Sequence, residues 1–133
     1  MAKQEIVSEN LPRPVGRFSQ GTIIEASGRI IFISGMTARD KSGAVIGVGD
    51  VAEQTEQVCK NIKSAIEAAG GTLDDICRLD VYLRNMEHFS KVHEVRGKYF
   101  NPPLPSSTML EVSKFVHPDM LIEITAIGVI PTR

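Results

Sequence analysis

A carboxylate interrupts an otherwise apolar run near the end of the chain. Glu123 lies inside MLIEITAIGVI (120–130), where it shares one face of the expected strand with Leu121 and Thr125. One interpretation places Glu123 at a sheet edge that is open to water. The other places it on a sheet face or at an interface, where a desolvated carboxylate can transfer protons or orient a water molecule.

Two further polar residues interrupt the second expected helix. At about 100° per residue, Arg96 falls near the middle of an apolar stripe and His93 falls on its flank. Three residues apart, the two side chains can meet on one surface. Arg96 can instead pack its stem on apolar neighbours with its charged head in water, and His93 can be a core histidine bonded to the backbone. Together with Glu123 they supply the parts of a small polar site.

The other reactive side chains favour neither a metal site nor a cysteine nucleophile. The three histidines form no i,i+4 pair and have no CxxC partner, so no metal is expected. Cys59 continues the apolar side of a helix and Cys77 opens a strand, which is typical of structural thiols. ISGMT (33–37) is a strand end that turns through glycine. Such a turn can expose Ser34 and the backbone N–H groups at Gly35.

A stiff loop precedes the next strand. NPPLPSSTMLEVS (101–113) contains three prolines, which fix φ and cannot donate a backbone hydrogen bond. Ser106, Ser107 and Thr108 follow the last proline. A loop of this stiffness is expected to hold these hydroxyls against specific partners.

The elements that position these residues alternate along a single domain, residues 1–133. The chain is 42% hydrophobic and 23% charged, which predicts one core. Asp50 with Glu53 predicts a capped helix that stops at Gly70, and Asn85 is expected to cap a second helix that ends before Pro102. The β-branched runs 22–25 and 29–34 predict a hairpin, and the other strands are expected at 77–83, near 108–113 and at 120–130.

The order β-β-α-β-α-β-β predicts an α+β fold, an α/β two-layer arrangement with a mixed sheet. Right-handed crossovers should lay both helices on one face of that sheet. The opposite face would then be uncovered. Because the chain is rich in Ile and Val, we expect this face to be buried in a homo-oligomer.

Charge and hydropathy limit the partners. The formal net charge is −1 and no stripe of Lys and Arg stands out, so neither nucleic acid nor a membrane is expected as a partner. No signal peptide is recognisable, and no apolar run approaches the ~20 residues of a membrane helix. These features predict a cytoplasmic protein with free thiols.

Five blocks of sequence follow one another over nearly the whole chain. They are RPVGRFSQG (13–21), IFISGMT (31–37), AEQTEQVCKNIKSAIEAAGGTLDDICRLDVYL (52–83), MEHFSKVHEVRGKYF (86–100) and LIEITAIGVI (121–130). In combination they resemble the RidA/YjgF family of reactive-intermediate (enamine/imine) deaminases. The resemblance implies a chorismate-mutase-like fold, a homotrimer with a small-molecule site in each intersubunit cleft, and no cofactor.

The same resemblance implies roles for individual positions. The family glutamate that positions the attacking water falls on Glu123, and the family serine and glycine fall on Ser34 and Gly35. Three other family positions are changed. Phe18 stands at a tyrosine position, His93 at an asparagine position, and Ser107 at the position of the arginine that binds the substrate carboxylate.

The sequence therefore favours a divergent RidA-like hydrolase that deaminates a reactive enamine or imine, with the usual 2-imino acids as poor substrates. Glu123 would orient water, His93 would donate a proton and Ser34 would bind the polarised nitrogen or an oxygen. The residues assigned to substrate binding are Phe18, Gly35, Arg96 and Ser107. The alternative is a non-catalytic trimer of the same fold that binds a small molecule or a partner. Endoribonuclease activity is not favoured, because no basic surface is apparent.

Overall fold

The computed structural model describes residues 3–25 and 27–132. Within these ranges it contains six strands and two α-helices, with short 3₁₀ turns at Leu73–Asp75 and Met86–His88. The elements are β1 (Lys3–Glu5), β2 (Thr22–Ile24), β3 (Arg29–Met36), α1 (Val51–Ala68), β4 (Ile76–Leu83), α2 (Phe89–Tyr99), β5 (Ser106–Glu111) and β6 (Ile122–Ile130).

Four strands form the main sheet, in the order β3-β6-β4-β5. β6 pairs antiparallel with both β3 and β4, while β4 and β5 are parallel, so the predicted mixed sheet is confirmed. Because β6 lies between two neighbours, Glu123 does not stand at a sheet edge, and that interpretation was wrong. Glu123 instead lies opposite Tyr82 of β4 on a sheet face.

The predicted hairpin of residues 22–25 and 29–34 is wrong in its pairing. β2 pairs antiparallel with β1 in a separate two-stranded sheet, and β3 pairs with β6. Side chains fix this small sheet against the start of β4. Thr22 Oγ1 donates to Cys77 O at 3.0 Å, and Lys3 Nζ donates to Ile76 O at 2.5 Å. The local runs predicted strands but could not predict their partners.

α1 begins and ends as expected. Asp50 is its N-cap and accepts from the Glu53 N–H at 3.1 Å. After the helix, Gly70 takes a φ of +93°, a conformation that favours glycine. The predicted apolar face is buried at Val51, Thr55, Val58, Ile62 and Ile66.

α2 is preceded by a 3₁₀ turn at Met86–His88, where Asn85 accepts from the Glu87 N–H at 2.9 Å. The side chains that α2 buries are Val92, Val95 and Arg96. α2 packs against α1, and α1 packs on β3 and β6, so one sheet face is covered by helices. None of the helices in the described ranges is both long enough and apolar enough to span a membrane.

The two sheet faces differ in what covers them. The face under the helices carries core residues that include Ile33, Val81, Ile122, Ile124 and Ala126. The opposite face, called the open face below, carries Phe32 and Ile30, which are 77% and 61% exposed. Within the described residues, neither helix packs on the open face. Exposed apolar surface of this kind is usually buried by a partner.

Candidate functional site

Glu123 projects from the open face directly over Gly35 of the neighbouring strand. A β-carbon at Gly35 would lie 2.2 Å from Glu123 Oε2, so only glycine leaves room for this carboxylate position. The register of β3 against β6 shifts between Ile33 and Met36, and neither Ser34 nor Gly35 has a paired residue there. Ser34, which precedes Gly35 at this irregularity, is exposed.

A groove of about 360 Å³ opens next to Glu123. Its other lining residues are Tyr82, Val112, Lys114, Phe115 and Val116. The sequence analysis missed Tyr82 and Lys114. Tyr82 had a usable signal, since it occupies a polar position of the alternating strand 77–83 that pairs with β6. Lys114 lies in a loop and had none.

The loop that forms one wall of the groove is held at both ends. Arg84 Nη1 donates to Val112 O at 3.3 Å and also to Ser113 O. At the other end, Gln54 of α1 donates to Asp119 O at 2.7 Å and accepts from the Leu121 N–H at 2.8 Å. The groove wall is therefore fixed by the arginine that follows β4 and by a buried amide of α1.

Arg96 is buried, not extended into water as one interpretation had it. It is 1% exposed, and its Nη2 donates to Ser107 Oγ at 3.1 Å and to Arg17 O at 3.2 Å. Burial lowers the pKa of Arg96 to about 10, so it remains charged at neutral pH. The guanidinium of Arg96 therefore contacts Ser107, the residue at which the family resemblance would put an arginine, from the buried side of the strand.

The other hydroxyls of the stiff loop point to different partners. Ser106 Oγ donates to Cys77 O at 3.2 Å. Thr108 Oγ1 accepts from Arg78 Nη2 at 2.7 Å, and the same nitrogen forms a salt bridge with Asp80 at 2.7 Å. The alternation of β5 thus sends Ser107 toward the helices and Thr108 toward the open face.

His93 packs between Phe89 and the N-terminal segment. The His93 and Phe89 rings are edge to face with centroids 4.1 Å apart, and a β-carbon at Gly16 would lie 2.2 Å from His93 Nε2. Both ring nitrogens are buried and have no hydrogen-bond partner among residues 3–25 and 27–132. Burial, followed by the charge of Arg96, lowers the pKa of His93. His93 is therefore largely neutral at pH 7.

The lowered pKa of His93 predicts a pH dependence of stability. The unfolded chain binds the proton more tightly than the folded chain, so stability should fall as the pH drops below the ordinary histidine value of 6.5. His93→Gln should make the free energy of unfolding less dependent on pH between about pH 7 and 5. Urea denaturation of both proteins across this range measures the difference. Identical pH dependence in the two proteins would contradict the prediction.

Within one chain, the predicted site residues form two groups. Ser34, Gly35 and Glu123 lie together on the open face. His93, Arg96 and Ser107 lie on the helix side, since Ser107 pairs with the core residue Leu79. Phe18 follows Arg17 and lines a further groove of about 490 Å³ along the N-terminal segment. The structure does not bring the two groups together within one chain.

In the part of the chain that the structure describes, neither the thiols nor a cluster of acidic residues forms a further reactive centre. Cys59 and Cys77 are both buried and free, and burial raises the pKa of the Cys59 thiol to about 12. Among the described residues, no group of three or more His, Cys, Asp or Glu side chains could hold a metal ion.

Comparison with known proteins identifies the family. A family model described as Endoribonuclease L-PSP matches residues 8–130. The chain belongs to this family. A RutC family protein of Pyrococcus horikoshii is 41% identical over 126 residues, covering 95% of this chain and 97% of the relative. The RidA/YjgF resemblance inferred from the sequence is thereby confirmed.

Solved structures of Endoribonuclease L-PSP relatives share the fold. The Rid-family protein YyfB of Yersinia pestis superimposes with a TM-score of 0.90 at 28% identity, covering 98% of this chain and 100% of that one. RidA from an Antarctic Psychrobacter gives a TM-score of 0.73 at 30% identity, covering 96% and 99%. The α+β fold with two helices and a mixed sheet is thus shared with Rid proteins.

Proposed function

We propose that this protein hydrolyses a reactive enamine or imine to a carbonyl compound and ammonia. The observation that carries the proposal is the carboxylate of Glu123, held over Gly35 beside Ser34 and next to a groove. An imine and one water give the carbonyl compound and ammonia, so no oxidant, reductant or cofactor is consumed. An enamine first takes a proton on carbon and becomes the imine.

Each step has a candidate residue. Glu123 accepts a proton from the water as its oxygen attacks the imine carbon, the π bond of C=N breaks, and a carbinolamine forms. The nitrogen then gains a proton, the carbinolamine hydroxyl loses one, and cleavage of the C–N bond releases ammonia and the carbonyl compound. The His93 imidazole, once it has taken up a proton, is assigned as the donor to the nitrogen. Ser34 and the backbone N–H at Gly35 are assigned to bind the polarised nitrogen or an oxygen of the substrate.

A cleft between subunits would unite the two groups of residues. Glu123 and Ser34 occupy the open face, whereas His93 and Ser107 lie toward the helices, so one chain alone does not surround a substrate. In a homotrimer, the open face of one subunit would meet the helix-side group of another. Phe18 and Ser107 are assigned to the wall that holds the rest of the substrate, and Arg96 supports Ser107 from the buried side.

The proposed trimer predicts a mass in solution. Light scattering should give about three times the chain mass of 14.5 kDa. Phe32→Asp should shift the protein toward monomer, because Phe32 is 77% exposed on the open face and a buried carboxylate there would be unpaired. Val48→Asp introduces the same charge at an exposed apolar residue outside that face and should leave the mass unchanged. A monomeric wild type would contradict the intersubunit site.

Gly35→Ala tests whether the position of the Glu123 carboxylate matters for hydrolysis. The new methyl group would displace Oε2, and a misplacement of about 1 Å can cost about 10²-fold in rate. The free energy of unfolding should change by less than about 1 kcal/mol, since the displaced atoms end a flexible side chain. Ammonia release, measured on an imine that an amine oxidase forms in situ, gives kcat.

Adding Gly35→Ala to Glu123→Gln provides the control. If the glycine acts only by placing the carboxylate, the double variant should be no slower than Glu123→Gln alone. Full activity of Gly35→Ala would refute the role of this geometry.

One observation favours the second candidate function, a non-catalytic binding trimer. Ser107 cannot provide the charge and planar fork of the arginine that the resemblance places there. A protein that retained this cleft without that arginine could bind a small molecule and release it unchanged. Tight retention of a ligand without ammonia release in the wild type would support this function over hydrolysis.

A further inference from the structure

A buried positive charge lies beneath Ser107 and has no acidic partner in the described part of the chain. Arg96 is 1% exposed and stays protonated at neutral pH despite its lowered pKa. The salt bridges of the described residues join Arg78 to Asp80, Lys98 to Glu56 and His117 to Asp119, so Arg96 belongs to none of them. A buried charge is costly unless it is paired and fully hydrogen bonded.

The hydrogen bonding of Arg96 is incomplete. Nη2 has two acceptors, Ser107 Oγ and Arg17 O, but Nε and Nη1 are buried without a partner among residues 3–25 and 27–132. The buried amide of Gln54 shows that polar groups in this core can be satisfied. Its nitrogen donates to Gly47 O and Asp119 O, and its oxygen accepts from the Leu121 N–H. The deficit at Arg96 is therefore local.

Two neighbouring basic side chains show the same deficit. Arg17 Nη2 donates to Phe100 O at 3.1 Å, but its Nε is buried with no partner in the described ranges. The same holds for both ring nitrogens of His93. Arg96 Nη2 donates to Arg17 O at 3.2 Å, and His93 lies one helical turn before Arg96 with its ring against Gly16, so the three residues lie close together. Groups with spare donors and no acid nearby suit an anion with several oxygens.

We propose that Arg96, Arg17 and His93 form a binding site for a small oxyanion, a carboxylate or a phosphate group. Arg96 Nε and Nη1 and Arg17 Nε donate to its oxygens, and the neutral imidazole adds one N–H. The proposal goes beyond hydrolysis, because a protein that lacks the Glu123 carboxylate should bind the anion equally well.

The backbone at Gly16 and Arg17 covers this site. Arg17 O occupies one donor of Arg96, and Gly16 lies against the His93 ring. The anion enters when this stretch of backbone moves outward, and one of its oxygens then replaces the Arg17 carbonyl as acceptor. Gly16 suits this movement, since no β-carbon there locks against the imidazole.

Thermal unfolding with inorganic phosphate and with acetate, at constant ionic strength, tests the proposal. The wild type and Glu123→Gln should both gain about 5 °C in Tm at saturation. Arg96→Met should lose this gain while remaining as stable as the anion-free wild type, because it removes an unpaired buried charge. Lys63→Met removes an exposed positive charge of α1 and should leave the gain intact. A stronger effect of phosphate or of acetate identifies the preferred group.

The outcomes separate binding from a structural role. No saturable gain in the wild type, or an equal gain in Arg96→Met, overturns the proposal. If Arg96→Met does not fold, anion binding is measured with Arg17→Met instead. A weakening of anion binding by about tenfold or more supports the site, and unchanged binding overturns it. Loss of hydrolysis in Glu123→Gln with anion binding intact would leave this proposal standing, whatever the fate of the proposed activity.

Discussion

Glu123→Gln should lower kcat for imine hydrolysis by about 10²–10⁴-fold, the range that positioned acid–base groups contribute. The amide has nearly the shape of the carboxylate, so it fits over Gly35, but it cannot accept a proton from water at neutral pH. The Tm and the mass in solution should match those of the wild type. Ammonia release from an imine that an amine oxidase generates in situ gives the rate.

Glu67→Gln is the matched control for Glu123. It removes one carboxylate from an exposed position of α1, far in sequence from either site group, and should leave kcat within about twofold, as surface changes usually do. A Glu123→Gln protein that keeps its trimeric mass and hydrolyses imines at the wild-type rate would exclude Glu123 from the chemistry.

The second large effect concerns the substrate. Imines of 2-oxo acids should be hydrolysed roughly thirtyfold to several-thousandfold more slowly than by a family member with an arginine at the position of Ser107. The reason is that losing the charged partner of the substrate carboxylate costs roughly 2–5 kcal/mol. The guanidinium of Arg96 does not replace it. It donates to Ser107 Oγ and to the Arg17 carbonyl, so both groups stand between it and the cleft. A 2-imino acid carries its carboxylate one bond from the carbon that water attacks, so this carboxylate must be bound in the cleft itself.

Ser107→Arg should raise the rate on 2-imino acids, and most clearly in an Arg96→Met background. In the single variant, the new guanidinium would stand beside Arg96, and two like charges disfavour each other. Ser107→Met supplies a long side chain without charge and should produce no gain. An amino acid oxidase forms the 2-imino acids in situ, and an amine oxidase supplies imines without a carboxylate for comparison.

Two results would contradict the role of Ser107. One is a wild-type rate on 2-imino acids equal to that of relatives with the arginine and unaffected by Arg96→Ala. Ser107 would then be no real departure from the family. The other is an equal gain from Ser107→Arg and Ser107→Met, which would attribute the effect to size and not to charge.

The elements that depend on local sequence could be predicted. Asp50 with Glu53 and the stripe from Val51 to Ile66 specify α1 through contacts within a few residues, and the structure contains this helix as expected. The partner of β2 could not be predicted in this way. β1, with the sequence KQE, has no apolar alternation, and Thr22 is held by a carbonyl 55 residues away. Pairing depends on such distant contacts.

The residues of the candidate site could be predicted from the sequence better than their arrangement in space. The position of Glu123 in an apolar strand marked it, and its place in a central strand followed only from the sheet order. Arg96 was correctly placed on the buried stripe of α2. Whether its guanidinium reaches water or stays buried depends on hydrogen bonds to Ser107, 11 residues away, and to the Arg17 carbonyl, 79 residues away. The periodicity of apolar residues along a helix does not reveal contacts with residues in other elements.

The loop beside Glu123 is fixed at its two ends, and the residues between these ends can be substituted. Arg84 and Gln54 hold these ends by hydrogen bonds to Val112 O and Asp119 O. Residues 114–118, called the cassette below, lie between these two contacts. Substitutions within the cassette can reshape the groove wall without moving the β6 carboxylate. A protein built in this way can acquire new ligand preferences by drift in five surface positions, and an engineer can randomise the same five while leaving the core untouched.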